Sequence, residues 1–340
     1  MDRATYGIVA FVETSLFERR LALWPLCVAS LALQPQRYVD RSPHRERLVA
    51  VGPSVRLEVL DWGGRGPTLL FLPGWNSNAH VYDDIAPKLT SVGHVIAVTP
   101  RGFRPSDAPE GEYTVSRAVE DLRIVLDSLG IPKATMVGHS AAGPIITAFA
   151  AQHPDRVARL VYLDASFDFA ASDSIVALRP FRRPDPPADT SFQAQAEWAR
   201  RYFIGVYTPA LEAVDRAMAA GETQADDARR ARLLAPLLAE EVAGARSPNY
   251  SGLRVPSLAI CALATPASEY PWLTRDSTRW AAAERYVETT RRPFQRQQCD
   301  RFLRSAPHGR VVELDGSHFI FITREREVVH ALGAFLSDTE

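Results

Sequence analysis

The sequence predicts an α/β protein built on a mostly parallel, doubly wound sheet, with an all-helical insertion after the sixth strand. Three observations carry this. Short apolar runs alternate with helical patterns over most of the chain, as they do when helices cover a parallel sheet. Several runs, 68–72 and 257–262 among them, are continuously apolar, which marks strands buried on both faces. Between about Phe167 and Pro248 the alternation stops and helical patterns alone remain.

In chain order, 47–51 and 55–62 read as an edge hairpin turned near Gly52 and Pro53. Residues 68–72 make a strand, 79–89 a helix and 94–99 the next strand. A helix over 115–129 carries Ala118, Leu122, Leu126 and Leu129 on one face and ends at Gly130. Strand 134–137, helix 141–152 and strand 160–163 follow. The insertion opens with a Pro/Arg-rich stretch at 178–187 and then carries Trp198, Tyr202, Phe203 and Tyr207. The sheet pattern resumes at 257–262, followed by a long helical stretch over 276–303 and a strand at 310–314. A last helix has Val328, Leu332, Phe335 and Leu336 on its apolar face. The expected organisation is an N-terminal extension or signal-like segment over 1–40, a core from 41–166 and 249–340, and a lid over 167–248. Such a lid covers the C-terminal ends of the strands, where open α/β sheets bind ligands.

With 46% hydrophobic and 23% charged residues the 340-residue chain has the composition of a globular protein with a large core. A net charge of -1 leaves no electrostatic footprint for nucleic acid or an anionic membrane. Lys88 and Lys133 are the only lysines. Arg19 and Arg20 precede an apolar run over 21–33, too short to span a bilayer but suited to a secretory signal. The run begins late, after Asp2, Glu13 and Glu18, so a packed N-terminal helix in a cytoplasmic protein is the alternative to export. If Cys27 leaves with that run, Cys261 and Cys299 remain as an even pair; otherwise Cys261 is a small buried hydrophobe. No Cys/His spacing suggests a metal site, and no cofactor is expected.

The strongest chemical signal is Gly138-His139-Ser140-Ala141-Ala142-Gly143, placed between a buried strand and a helix. A serine on so sharp a turn needs small neighbours, and Ala142 stands where G-x-S-x-G has its second glycine. At these residues the chain resembles the α/β-hydrolase superfamily, in its lidded, esterase-like serine-hydrolase branch. Four more segments are similar to that family: Leu72-Pro73-Gly74-Trp75, the run from Arg101-Gly102-Phe103-Arg104 to Pro105-Ser106-Asp107, His153-Pro154-Asp155-Arg156-Val157 and Gly316-Ser317-His318-Phe319. The resemblance covers about 47–336, the insertion excluded.

Ser140 then needs a base, and among eight histidines His318 is the best placed, at a turn after the last strand. His139 adjoins Ser140 but should point elsewhere, while His80 lies near the loop of Gly74 and Trp75 as a candidate pocket residue. The resemblance implies an oxyanion hole from the backbone N–H groups of Trp75 and Ala141. It usually supplies an acid after the seventh strand, where this chain has only Ala264 and Thr265. Some relatives take the acid from the end of the sixth strand, which here is Asp164, with Glu269 and Asp168 as rivals. Trp198, Tyr202 and Phe203 are expected in the substrate pocket, although their spacing also suits packing of the lid.

The expected function is hydrolysis of a small, apolar carboxylic ester through an acyl intermediate on Ser140. An amidase, peptidase, thioesterase or acyltransferase would use the same groups. A catalytically silent binding protein of this fold is the alternative from another class. In this superfamily epoxide hydrolases and haloalkane dehalogenases rely on an Asp nucleophile, and Ser140 argues against both.

Overall fold

The computed structural model describes residues 42–338, apart from 76, 112, 169–170, 172–174, 190–191, 204–206, 210, 213–214, 216–228, 231, 238, 240–248, 274 and 276–277. The N-terminal segment over 1–40, with its apolar run and Cys27, and much of 167–248 lie outside the described residues.

Strands β1 (Arg45–Gly52) and β2 (Val55–Gly63) form the antiparallel edge hairpin. Then come β3 (Thr68–Leu72), the one-turn helix α1 (Ala86–Leu89), β4 (His94–Val98) and α2 (Val115–Ser128). Strand β5 (Ala134–His139) leads into α3 (Ala142–Gln152), and β6 (Val157–Leu163) follows. The described part of the insertion contains α4 (Phe192–Tyr202) and no strand. Beyond it lie β7 (Ser257–Leu263), α5 (Pro266–Glu269), α6 (Thr278–Tyr286) and α7 (Arg292–Ser305). The chain closes with β8 (Gly309–Asp315), α8 (Ile320–Thr323) and α9 (Glu325–Ser337).

The eight strands form one sheet in the order β1-β2-β4-β3-β5-β6-β7-β8, antiparallel across β1–β2 and β2–β4 and parallel elsewhere. Every residue of β3, β5 and β7 is buried, because helices cover both faces. Side chains alternate across the strand, so Leu70, Leu72 and Met136 face one layer and Leu69, Phe71 and Val137 the other. The first layer takes Leu122 and Leu126 of α2, Phe149 of α3 and Phe302 of α7. The second takes Tyr82, Leu89 of α1, Phe321 of α8 and Leu332 and Phe335 of α9. From β3 the chain steps to β4 on one side and then to β5 on the other. That reversal opens a crevice at the strands' C-terminal ends.

Two expected helices are divided by proline. The helix expected over 79–89 is a 3₁₀ turn, Ala79–Tyr82, followed by α1. Pro87 has no N–H for the carbonyl four residues back, so one helix cannot run through it. The stretch expected over 276–303 is α6, a π-turn at Val287–Arg291 and α7, with Pro293 in the first turn of α7 forcing the change. Cys261 of β7 and Cys299 of α7 are joined in a disulfide, with Cα atoms 6.5 Å apart. Among the described residues no helix is long and apolar enough to cross a membrane.

Candidate active site

Ser140 leaves β5 at φ 51°, in the left-handed region that a side-chain-bearing residue rarely occupies. The turn is held by the Ser140 N–H donating to Leu163 C=O (3.3 Å) and the Gly143 N–H donating to Ser140 C=O (2.9 Å). Its small residues answer to space. A methyl on Gly143 would stand 2.2 Å from the Ala165 carbonyl oxygen, so only glycine lets α3 approach β6 there. A methyl on Gly138 would meet the Ala142 Cβ at 3.2 Å. One alanine at 142 fits because Gly138 leaves room for it.

His318, just after β8, reaches the same edge. Its Nε2 lies 2.8 Å from Ser140 Oγ and its Nδ1 lies 2.6 Å from Asp164 Oδ2. Asp164 follows the last residue of β6 and is itself left-handed, at φ 46°. Strand β7 clamps it: the Asp164 N–H donates to Ile260 C=O (2.8 Å), and Asp164 Oδ1 accepts from the Ala262 N–H (2.8 Å). The Gly316 N–H donates to Leu263 C=O (2.9 Å), tying the histidine turn to the same strand. Three side chains from the ends of three parallel strands thus form one hydrogen-bonded line. The positions after β7 have other work: the Ala264 N–H donates to Gln295, and Thr265 caps α5.

Neither rival acid reaches His318. Glu269 is held by Arg179 at 2.6 Å and Arg291 at 3.8 Å. Asp168 pairs with Arg301 at 3.2 Å and accepts from the Ala171 N–H. His139, set aside from the sequence as pointing elsewhere, packs beneath the site. Its Nε2 donates to the His318 carbonyl (3.1 Å), and its ring lies 4.7 Å from that of His318, against Phe319 and Phe321. Burial above all, and then the nearby His318, push the His139 pKa well below its ordinary 6.5, so the ring is neutral. The strand-to-turn motif carried no signal of this contact, because it joins residues 179 apart in sequence.

Next to the turn of Ser140 lies a small, partly open cleft lined by Gly74, Trp75, Phe103, Ala141, Ile145 and Leu237 among others, with Ser140, Asp164 and His318 themselves outside its lining. Trp75 meets Phe103 edge to face at 5.6 Å. A buried pair, Arg101 with Asp121 (2.5 and 2.8 Å), closes one wall. The backbone N–H of Ala141 stands at the start of α3, where unpaired amides and the helix dipole favour negative charge. Trp198, Tyr202 and Phe203 are not among the residues that line this cleft. Trp198 packs 5.6 Å from Tyr202 and 5.3 Å from Phe203, and Arg183 lies over Phe203 at 4.1 Å. The insertion contributes Leu237 to the cleft instead. His80 does not line the cleft either; it turns toward Glu58 and Asp83.

Residues 67–251, more than half of the chain, match the family model described as the α/β-hydrolase fold, and the chain belongs to that family. It is 34% identical over 107 residues to a fluoroacetate dehalogenase of Burkholderia sp, covering 30% of this chain and 35% of that protein. It is 34% identical over 101 residues to a 2-(acetamidomethylene)succinate hydrolase of Mesorhizobium japonicum, covering 30% and 36%. The matched region is therefore about a third of the length of these curated relatives. Among solved structures, a probable hydrolytic enzyme of Pseudomonas aeruginosa PAO1 shares the fold, with a TM-score of 0.64, 20% identity and coverage of 89% of this chain and 96% of that one.

Proposed function

We propose that the protein is a serine hydrolase that cleaves a carboxylic ester through an acyl intermediate on Ser140. The observation that carries this reading is the unbroken line from Asp164 Oδ2 to His318 Nδ1 and from His318 Nε2 to Ser140 Oγ, at 2.6 and 2.8 Å. A serine at the elbow, where an aspartate nucleophile would be needed, separates the reading from the dehalogenase name of one relative.

In this mechanism Ser140 Oγ attacks the ester carbonyl carbon as its proton passes to His318 Nε2. The carbonyl oxygen becomes an oxyanion, met by the N–H groups of Trp75 and Ala141. Asp164 keeps the Nδ1 proton on His318 and stabilises the imidazolium. As the tetrahedral species collapses, the C–O bond to the alcohol breaks and His318 returns its proton to the leaving oxygen. Water, deprotonated by the same histidine, then attacks the acyl carbon and releases the acid and Ser140. The apolar lining beside Trp75 suits an apolar acyl or alcohol group, and residues 167–248 act as the lid over it. We read the protein as exported, a reading supported by the disulfide, since such bonds persist in oxidising compartments.

Purified protein is expected to turn over p-nitrophenyl esters and to react with a fluorophosphonate at Ser140, with both properties lost in Ser140→Ala. An inert wild-type protein, or labelling that survives in Ser140→Ala, would overturn the assignment.

A further inference from the structure

We propose that His44, His80 and Asp83 form a binding site for one divalent zinc-class cation, with Glu58 behind it as the orienting carboxylate. The site lies apart from Ser140. His44 comes from the chain entering β1, His80 and Asp83 from the 3₁₀ turn after β3, and Glu58 from β2. One ligand atom from each of His44, His80 and Asp83 lies within 4.8 Å of the others. The two oxygens of Asp83 face different imidazoles: Oδ1 is 3.4 Å from His44 Nε2 and Oδ2 is 3.0 Å from His80 Nδ1. All four side chains are shielded from water, His80 the most exposed at 12% and Glu58 fully buried.

His80 is the central residue of the cluster. A neutral imidazole has one N–H and one lone pair. Both of its nitrogens nevertheless face carboxylates, Nδ1 toward Asp83 and Nε2 toward Glu58 Oε1 at 3.3 Å. Glu58 is itself fixed, its Oε2 accepting from Thr99 Oγ1 at 2.5 Å. With the N–H pointing to Glu58, the lone pair on Nδ1 meets a carboxylate oxygen, and the pair calls for a positive charge, supplied either by a second ring proton or by a bound cation. Two carboxylates this deeply buried need such a charge in any case.

A metal ion fits the pattern. Histidine ligands of metals commonly donate their second N–H to a carboxylate, which sets the tautomer. Zinc–ligand bonds of about 2.0–2.2 Å place tetrahedral neighbours roughly 3.3–3.6 Å apart, and His44 Nε2 lies 3.4 Å from Asp83 Oδ1. Spacing of Cys and His along the sequence could not reveal this site, because the ligands are brought together from separate elements.

The ion would act as a clasp. Ser42 Oγ donates to Asp83 C=O (3.1 Å) and accepts from Trp62 Nε1 (2.8 Å), so the chain entering β1 already lies against this turn. Asn78 caps the same turn and donates to Arg104 C=O (3.1 Å), on the loop that follows β4. Binding would thus pin the start of the described chain to the loops that flank the cleft.

The test uses tag-free, EDTA-treated full-length protein, titrated with ZnCl₂ by calorimetry and assayed for zinc after dialysis. The expected result is one ion per chain, with a saturable rise in Tm. His80→Ala and His44→Asn should abolish binding. Glu58→Gln should weaken it by about 10–100-fold, as loss of an outer-shell partner does. His94→Asn, outside the cluster, should bind like wild type. Wild-type protein that retains no zinc would overturn the proposal and leave a proton on His80 as the balancing charge. Undiminished binding in His44→Asn and Glu58→Gln would also overturn it, and these two variants decide the matter should His80→Ala not fold.

Discussion

Ser140 and Asp164 are the two non-glycine residues with positive φ among those described, and they sit at the ends of adjacent strands. Strain of this kind persists where surrounding bonds over-determine the backbone, as the bonds from Leu163, Ile260 and Ala262 do here. Asp164→Asn should keep the fold, because the amide still accepts from Ala262, but should lower kcat by up to about 10⁴-fold, as the equivalent change does in a serine protease. Glu269→Gln should leave kcat near wild type and lower Tm, since Glu269 serves Arg179 and Arg291. Steady-state kinetics on one ester with both variants checks this. His139 is a positioning residue. His139→Phe should reduce kcat with little change in KM, because it removes the hydrogen bond to the His318 carbonyl, and His139→Gln should recover part of the loss by keeping a donor. The lowered pKa of His139 adds a stability test. Below its ordinary 6.5 the unfolded chain takes a proton that the folded chain refuses, so stability falls as pH falls through that window. The slope for one such group reaches about 1.4 kcal/mol per pH unit, and denaturant unfolding at pH 7.5 and 5.5 should show it missing from His139→Phe.

At the scale of elements, β7 organises the candidate site without supplying a side chain to the line of Asp164, His318 and Ser140. Its backbone holds Asp164 and the turn before His318, and its Cys261 is bonded to Cys299 of α7. A cross-link between residues 38 apart restricts the unfolded chain by about 4 kcal/mol on the loop-entropy estimate. Cys299→Ser should therefore lower Tm markedly while leaving the distance from His318 to Asp164, and hence kcat, almost unchanged. Helix α4 belongs to the packing of the insertion. Trp198 and Tyr202 lie one turn apart on one face with their rings in tilted contact, and Trp272 lies 6.4 Å from Tyr202. Trp198→Ala should cost about 3 kcal/mol, the usual loss for a buried aromatic, and leave the ranking of acyl chain lengths unaltered. Leu237→Trp, by contrast, should narrow the cleft beside Trp75 and shift that ranking toward short chains.

Across the whole molecule, the sheet holds Ser140, Asp164 and His318 at the C-terminal ends of β5, β6 and β8, while the insertion between β6 and β7 meets the loops beside them. Leu233, Leu234 and Leu237 pack with Phe103 and Tyr113, so the insertion and the loop after β4 share one apolar cluster. If the protein is exported, the mature chain should begin near Gln34 and weigh two hydrogens less than its reduced form, owing to the Cys261–Cys299 bond. Intact-mass measurement of periplasmic and cytosolic fractions checks both points. A cytosolic product with three free thiols would count against export.

Periodicity and local chemistry by themselves determined the sheet, the order of its strands along the chain, the break at the insertion and the turn around Ser140. These follow from apolar runs, helix faces and small residues at fixed offsets, all of which are local. The same locality explains what the sequence did not disclose. Pro87 and Pro293 divide stretches that read as single helices, because the backbone donor they lack leaves the side-chain pattern intact. Asp164 could be named as a candidate acid from its place at a strand end, but the pairing of Glu269 and Asp168 with Arg179, Arg291 and Arg301 was not legible there. The contact of His139 with His318 and the meeting of His80 with Glu58 and His44 are likewise long-range. They depend on strand neighbours that are adjacent in the sheet and distant in the chain, which only the tertiary structure brings together.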